Sequence, residues 1–408
     1  MSLISISLIR RLSGGCFLVA FLLLSNFAVA IAASDSESET GCPYASKRLG
    51  KAKCERFGET SVLRFDTVGK PKAHIVCVHG LGLCAKAYIP FAERMVAAGY
   101  RTCSIDVKGF GAGRRAYGQK LALEDSIAEI KELLTYIRES EPDTKTYLLG
   151  ESMGGAITIA VAARYPELVD GIICSAPAWK VYKKRRTTAK GLVDLVMTKP
   201  GPAAKAVMRQ ATTDSSLRAH WRKDHDHTLD LSAGEILSFM RFIAKTPRRA
   251  SRVEVPVLLI HGLKDHLIKP EGTARLYQKI ASQKKCLLML DSGEHLILEE
   301  GQFDDATVAA IQRWITDCSC PVPESKHTNA VVIVNTKKLG EEERDRLDRI
   351  FQLAGVDQYE VEEFNDINGG GNRKLMVVNC GKKNSKNSTD DYESEAESDN
   401  DKDNEIEN

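Results

Sequence analysis

The chain has 408 residues, with 57 Lys and Arg against 55 Asp and Glu, and a formal net charge of +2. This length accommodates one large domain with extensions, and so balanced a charge gives no indication of nucleic-acid binding. Hydrophobic residues make up 43% of the chain, as in ordinary globular proteins and unlike disordered ones.

Residues 1–33 have the pattern of a secretory signal peptide. Two arginines precede an apolar run at 17–24, and alanines near residue 33 offer small-residue cleavage sites. We therefore expect a secreted or extracytoplasmic protein, with 34–60 as the leader of the mature chain; an uncleaved segment would instead tether it to a membrane. In an oxidising compartment, Cys42 and Cys54 could pair.

From residue 61 to residue 318, short apolar runs alternate with amphipathic helices. This alternation predicts an α/β domain, with a mostly parallel sheet and helices on both of its faces. Ligands of such sheets bind at the carboxyl ends of the strands. Strands are predicted at 73–78, 100–106, 146–150, 169–175, 255–260 and 285–290. Helices are predicted at 85–98, 123–138, 153–164, 271–282 and 303–316.

The first predicted strand ends in His79, Gly80, Leu81 and Gly82. Glycines at such a point let the backbone turn and approach a substrate closely. The amide of Leu81, together with that of Met153 after the third strand, would donate hydrogen bonds to a developing oxyanion. We interpret His79 as a structural histidine that holds this loop.

The third predicted strand runs into residues 150–155, which read Gly-Glu-Ser-Met-Gly-Gly and precede small, helix-forming residues. This is a G-x-S-x-G element between a strand and a helix, where a tight turn requires glycines beside the serine. Such a turn holds Ser152 in a strained backbone conformation and exposes its hydroxyl above the sheet edge. A serine hydroxyl needs a base before it can act as a nucleophile.

The last two predicted strands supply a base and an acid. Asp265 follows the strand at 255–260, and His295 follows the strand at 285–290. The chain order Ser, Asp, His is that of the α/β-hydrolases. Asp265 would hold the His295 ring in the required tautomer, and His295 would take the proton of Ser152 and later protonate the leaving group.

Five segments together resemble the monoacylglycerol lipase and lysophospholipase branch of the α/β-hydrolases, of serine aminopeptidase S33 type. They lie at 79–82, 106–111, 150–155, 262–265 and 294–295. The resemblance implies an α/β-hydrolase fold and a serine esterase that acts on a lipid or small ester without metal or organic cofactor. Glu151 is a departure, since many lipases of this group have His there. Serine at 152 separates the chain from epoxide hydrolases and haloalkane dehalogenases, which have Asp.

Between residues 177 and 252 the alternation stops, and apolar residues recur at helical spacing. The interval is longer than a crossover helix needs, so it predicts a helical cap inserted over the active site. A cap would exclude water and form an apolar channel for an acyl chain. The alternative is a packed insertion without a gating role.

Two clusters lie inside this cap. The basic run at 183–186, near Trp179, would suit contact with an anionic membrane surface or simply form a solvated loop. The acidic and histidine run at 224–227 resembles a metal site, but alternating residues do not share a helical face. We therefore assign no metal to it.

Residues 319–380 predict a small α+β module of βαββ order. Its strands are predicted at 330–334, 359–364 and 374–378, and its helix at 340–353. The remaining 381–408 are polar and increasingly acidic, which is typical of a disordered tail.

The leading hypothesis is a serine hydrolase that cleaves monoacylglycerols or lysophospholipids through an acyl-enzyme. An aminopeptidase of the same branch is the first alternative; it needs an acidic clamp for the substrate ammonium, for which Asp224, Asp226 and Glu235 are candidates. The second alternative is a non-catalytic binding protein on a hydrolase scaffold. The intact serine, aspartate and histidine argue against it.

Overall fold

The computed structural model describes residues 44, 49, 51–181, 207–299, 302–318, 329–335, 341–355, 362–365 and 374–379. Four predicted features lie outside these residues: the signal peptide at 1–33, Cys42, the basic run at 183–186 and the acidic tail at 381–408. Among the described helices, none has the length and apolar character needed to cross a bilayer.

The strands of the described residues form one sheet. They are β1 (Lys53–Phe57), β2 (Thr60–Phe65), β3 (His74–Val78), β4 (Arg101–Ile105), β5 (Thr146–Glu151), β6 (Gly171–Ser175), β7 (Val257–Gly262), β8 (Lys285–Leu290), β9 (Asn329–Asn335), β10 (Glu362–Asn365) and β11 (Lys374–Asn379). Their order across the sheet is β1-β2-β4-β3-β5-β6-β7-β8-β9-β11-β10. Pairing is parallel from β4 to β9 and antiparallel at both ends. The predicted mostly parallel sheet is thus confirmed.

Helices cover both faces of this sheet. They are α1 (Ile89–Ala97), α2 (Gly111–Tyr117), α3 (Leu123–Ser140), α4 (Met153–Ala162), α5 (Ser215–Lys223), α6 (Ala233–Ala244), α7 (Thr246–Ala250), α8 (Pro270–Lys279), α9 (Asp305–Asp317) and α10 (Glu341–Leu353). α3, α4, α8 and α10 supply buried side chains to one face, and α1 and α9 supply them to the other.

Side-chain alternation along the strands explains why both faces need covering. In β3, Val76 and Val78 belong to the core on the α4 face, whereas Ile75 and Cys77 belong to the core on the α9 face. All four are fully buried. Because successive side chains point to opposite faces, a continuous apolar strand must be covered on both sides.

The sheet begins earlier than the sequence predicts. β1 and β2 form an antiparallel hairpin, and β2 pairs with β4, so β1 lies within the predicted leader at 34–60. β1 is half exposed and its sequence is mostly polar, so it has none of the apolar continuity that reveals a central strand. Cys54 lies in this strand and is disulfide-bonded, with a partner outside the described residues. Its pairing with Cys42 stays a prediction.

The described part of the predicted cap is helical. It contains α5, α6 and α7, and Ile236, Phe242 and Ile243 of α6 join the main core. α6 begins with a capping box in which Ser232 and Glu235 satisfy each other's backbone amides.

The C-terminal strands continue the sheet of the hydrolase domain. β9 pairs in parallel with β8, β11 pairs with β9, and β10 forms the edge. Between them, α10 packs on α8 and places Leu347, Ile350 and Phe351 in the main core. The guanidinium of Arg346 donates a hydrogen bond to the carbonyl of Leu263 at 2.7 Å. The elements appear where βαββ order predicts them; the division of the chain at residue 319 stays a prediction.

Replacing Ile350 with alanine should therefore destabilise the hydrolase domain itself. The side chain is 0% exposed, and loss of a buried Ile side chain costs about 2–5 kcal/mol of unfolding free energy. Urea unfolding would measure it, with Arg349→Ala on the exposed face of the same helix as the control, expected within about 0.5 kcal/mol of the parent. A separate early transition confined to the C-terminal elements, with the main transition unmoved, would contradict the prediction.

Candidate active site

Ser152 lies on the sharp turn between β5 and α4. Its backbone has φ 54° and ψ −112°, a strained conformation for a residue other than glycine. A Cβ atom at Gly150 would lie 2.3 Å from the carbonyl oxygen of Gly154, and one at Gly154 would lie 1.9 Å from that of Val78. The flanking glycines are therefore required by close backbone packing. The Ser152 amide donates to the Ser175 carbonyl at 2.8 Å, which fixes the turn to the neighbouring strand.

The structure brings the three predicted catalytic side chains into one chain of hydrogen bonds. Ser152 Oγ lies 2.9 Å from His295 Nε2, and His295 Nδ1 lies 2.7 Å from Asp265 Oδ2. The Asp265 carboxylate accepts a hydrogen bond from the protonated Nδ1, so Nε2 is left to accept the serine proton. All three are nearly inaccessible to solvent, with Ser152 the most exposed at 6%. The geometry suits a general base and its nucleophile.

Asp265 is held rigidly and stays ionised. Its Oδ1 accepts hydrogen bonds from the amides of Leu267 at 2.7 Å and Ile268 at 2.8 Å. Burial by itself raises the pKa of the Asp265 carboxyl, but His295 and His261 outweigh burial and hold the pKa well below its usual range. A permanent negative charge is thus available to stabilise the imidazolium of His295.

His261 is a neighbour of the predicted catalytic residues that sequence analysis did not single out. Its Nδ1 is 2.6 Å from Thr273 Oγ1, and its Nε2 is 3.0 Å from Asp265 Oδ2. With the threonine hydroxyl donating to Nδ1, the Nε2 proton faces the carboxylate. The available signal in the sequence was a histidine at the end of an otherwise apolar strand, followed at the fourth position by Asp265.

The predicted oxyanion donors belong to the helix that follows Ser152 and to the loop after β3, where a Cβ atom on Gly80 would lie 3.6 Å from the Glu151 carbonyl oxygen. Met153 is the first residue of α4, where helix amides have no intrahelical partner. Leu81 lies in the loop after β3. Within the described part of the chain, neither amide donates to a backbone carbonyl. Their role stays a prediction.

His79 uses both ring nitrogens to hold that loop. Its Nδ1 donates to the Gly80 carbonyl at 2.8 Å, and its Nε2 accepts from the Val107 amide at 2.9 Å. Burial lowers the pKa of His79 to about 4, so the ring is neutral and cannot serve as a cation. This arrangement is that of a structural histidine.

The cap contacts this loop and the loop that carries His295. The amide of Thr228 donates to the Gly82 carbonyl at 3.0 Å. On the other side, the Glu294 carboxylate accepts from the Thr212 hydroxyl at 2.6 Å and from the Thr213 amide at 3.0 Å. The cap therefore touches both loops that the proposed chemistry needs.

The three acidic cap residues considered as an ammonium clamp all have basic partners from the core. Lys86 Nζ lies 2.7 Å from Asp224 and 2.6 Å from Asp226. Arg115 also binds Asp226, and Arg114 Nη1 lies 2.7 Å from Glu235 Oε1. These ion pairs fasten the cap to the core.

Glu151 is a buried carboxyl next to the nucleophile. It is 2% exposed, accepts from Ser175 Oγ at 2.8 Å and accepts from the Leu298 amide at 3.1 Å. Burial raises the pKa of Glu151 to about 7, although its hydrogen bonds and His295 act in the opposite direction.

Comparison with known proteins places this geometry in context. The family described as serine aminopeptidase, S33, matches residues 69–302. The monoacylglycerol lipase of Mycolicibacterium smegmatis is 27% identical over 247 residues, which cover 58% of this chain and 87% of that protein. The monoglyceride lipase of Mus musculus is 26% identical over 260 residues, covering 61% and 84%.

Two crystal structures have the same fold. A soluble variant of monoglyceride lipase from Saccharomyces cerevisiae, in complex with a substrate analog, superposes with a TM-score of 0.55 at 17% identity, covering 70% of this chain and 98% of that one. The monoacylglycerol lipase of Paleococcus ferrophilus superposes with a TM-score of 0.51 at 23% identity, covering 63% and 98%. The predicted α/β-hydrolase fold is confirmed.

Proposed function

Because the chain belongs to the serine aminopeptidase S33 family of α/β-hydrolases, we propose that it cleaves monoacylglycerols or lysophospholipids through an acyl-enzyme formed on Ser152. That the protein is an ester hydrolase follows from its lipase relatives and their fold. The observation that carries the mechanism is the hydrogen-bonded chain from Ser152 through His295 to Asp265, with distances of 2.9 Å and 2.7 Å.

The proposed reaction has two stages. His295 Nε2 takes the Ser152 proton as Oγ attacks the ester carbonyl carbon, and Asp265 stabilises the imidazolium that forms. The amides of Leu81 and Met153 would donate to the oxyanion of the tetrahedral intermediate. His295 then protonates the departing alcohol, which leaves the acyl group on Ser152. In the second stage His295 takes a proton from a water molecule that attacks this ester, and it returns the proton to Ser152 Oγ as the fatty acid departs.

The ion pairs of the cap favour an ester substrate over a peptide with a free N-terminus. An aminopeptidase has to hold the substrate ammonium with an unpaired carboxylate. Among the described cap residues, the candidates Asp224, Asp226 and Glu235 are neutralised by Lys86, Arg115 and Arg114. Freeing one of them would leave a basic residue without its partner, which is costly in a partly buried site.

A substrate panel tests the proposal. The purified protein should hydrolyse a monoacylglycerol and a lysophosphatidylcholine, with a kcat/KM for aminoacyl anilides lower by at least about 100-fold, because the three acidic candidates of the cap already have basic partners. A fluorophosphonate probe should label the parent protein and leave Ser152→Ala unlabelled. Preference for aminoacyl anilides would support the peptidase alternative, and failure to label the parent would support a binding protein.

We further propose that the enzyme is secreted and takes its lipid substrate from an anionic membrane. The signal-peptide pattern at 1–33 and the disulfide of Cys54 support export to an oxidising compartment. α6 of the cap exposes Leu237 at 48% and Met240 at 37%, one turn apart. Exposed apolar side chains, and basic residues such as those in the sequence at 183–186, are the residue types that bind an anionic membrane interface. N-terminal sequencing of protein recovered from the medium would test export.

Replacing the four basic residues at 183–186 with glutamine should weaken binding to anionic vesicles. Each basic residue near such a surface contributes on the order of 1 kcal/mol, less at high salt. Vesicle sedimentation at low and high salt would measure the loss. Activity on a soluble short-chain ester is the control and should hardly change. Equal vesicle binding by parent and variant would exclude this surface.

A further inference from the structure

One buried carboxyl joins the turn that carries Ser152 to the loop that carries His295. Glu151 is the last residue of β5 and directly precedes Ser152. Its Oε1 accepts from the Leu298 amide at 3.1 Å, three residues beyond His295, and from Ser175 Oγ at 2.8 Å. The carbonyl of the same Ser175 accepts the amide of Ser152 at 2.8 Å.

We propose that Glu151 is a positioning residue that holds His295 against Ser152 and places a second negative charge beside the imidazole. The inference rests on the proposed function of Ser152 and extends it to a residue that touches no substrate. Apart from the contacts of Glu151, the hydrogen bond that the described residues show between this loop and the Ser152 turn is the 2.9 Å one from Ser152 Oγ to His295 Nε2, which the reaction itself breaks. A second, non-reacting connection would keep that geometry through the catalytic cycle.

The charge of Glu151 raises the pKa of His295. Burial lowers the pKa of His295, but Asp265 first and then Glu151 oppose it, and the net result is a pKa raised above its usual value. The pKa of Glu151 itself is about 7, so its charge changes in the range where the enzyme would work. Because the charges of Glu151 and His295 interact, the two protonation steps seen in this pH range are properties of the pair.

Within the described residues, Asp265 and Glu151 are the two carboxyls that raise the pKa of His295. Tyr88 and Cys77 lie nearby, but burial raises the pKa of each well above its ordinary value, so both stay neutral. Glu299 interacts with Tyr88 from the loop that carries His295. Asp265 is already ionised far below neutral pH.

The test replaces Glu151 with glutamine, which keeps the size and the accepting oxygen but removes the charge. The midpoint of the His295 titration, followed by NMR of the ring and assigned with His295→Gln, should move to lower pH by roughly half to one unit. The sign follows because loss of a neighbouring anion makes the imidazolium less stable. The acid limb of fluorophosphonate labelling of Ser152 should move in the same direction, since the neutral ring then persists to lower pH.

Two further variants separate charge from geometry. Glu151→Asp keeps the charge on a shorter side chain, so the midpoint of the His295 titration should stay close to that of the parent protein. Glu151→Ala removes both hydrogen bonds and should lower kcat about 10- to 100-fold with little change in KM, because an aligned base matters only in the transition state.

The matched control is Glu129→Gln. Glu129 is a partly buried carboxyl whose pKa burial likewise raises; it is held by the Thr60 hydroxyl and lies beside Lys108. It should leave the His295 midpoint unchanged. An unmoved midpoint in Glu151→Gln, or an equal shift in Glu129→Gln, overturns the inference. The NMR titration needs no substrate, so it still decides the role of Glu151 if the parent protein fails to react with the probe, an outcome that would instead reject the proposed function.

Discussion

Alanine at position 152 should lower esterase kcat by roughly four to six orders of magnitude while the protein stays folded. Only the attacking oxygen is removed, and its partner in the structure is His295 Nε2 at 2.9 Å. The strained backbone should survive, because the close packing of Gly150 and Gly154 imposes it independently of the serine side chain. Initial rates on a soluble ester, with thermal unfolding measured in parallel, would test this.

Ser126→Ala is the matched control for that experiment. Ser126 is also a buried serine, 2% exposed, whose hydroxyl accepts from the Lys108 amide at 2.9 Å and donates to the Ala122 carbonyl at 3.0 Å. Its loss should affect stability slightly and activity hardly at all. Near-normal turnover in freshly purified Ser152→Ala protein would reject the mechanism.

Replacing His295 with alanine should be as damaging as replacing Ser152, and the double variant should be little worse than either. The two residues act as one unit, because either replacement alone abolishes the proton transfer from Ser152 to His295. Asp265→Asn should cost less than His295→Ala, because the ring remains and part of the population keeps the useful tautomer. The three single variants and the double variant, compared by kcat/KM on one soluble ester, would measure this.

The control for the histidine series is His220→Ala. His220 lies on α5 of the cap, where its ring contacts that of His227, which is not one of the predicted catalytic residues. It should retain activity close to that of the parent. Losses at Ser152 and His295 that multiply in the double variant would show independent roles and contradict the shared proton transfer.

Features carried by contiguous residues could be predicted from the sequence. The central strands were apparent because they are continuous apolar runs. The site residues could be predicted because they follow strand ends, and the carboxyl ends of parallel strands lie at one edge of the sheet. The turn at Ser152 was apparent because its glycines and serine lie within six residues.

Features that depend on distant partners could not be predicted. Glu151 binds the amide of Leu298, 147 residues away in the chain, and Lys86 binds Asp224, 138 residues away. No local pattern encodes such pairs. The same reason explains why sequence analysis located the three C-terminal strands but not their partner: apolar alternation identifies a strand without identifying its neighbour.

The position of β9 beside β8 has a consequence for how this protein is made. Every residue of the proposed chemistry precedes residue 296, yet the strand that covers the β8 edge begins at Asn329. During translation the ribosome therefore releases the complete set of reacting groups while one side of the central sheet is still open. An open strand edge recruits other chains, and a partly synthesised domain is exposed to such association. A nascent chain that stops shortly after Cys318 would have all the reacting groups and would still be prone to aggregate before it became a soluble enzyme.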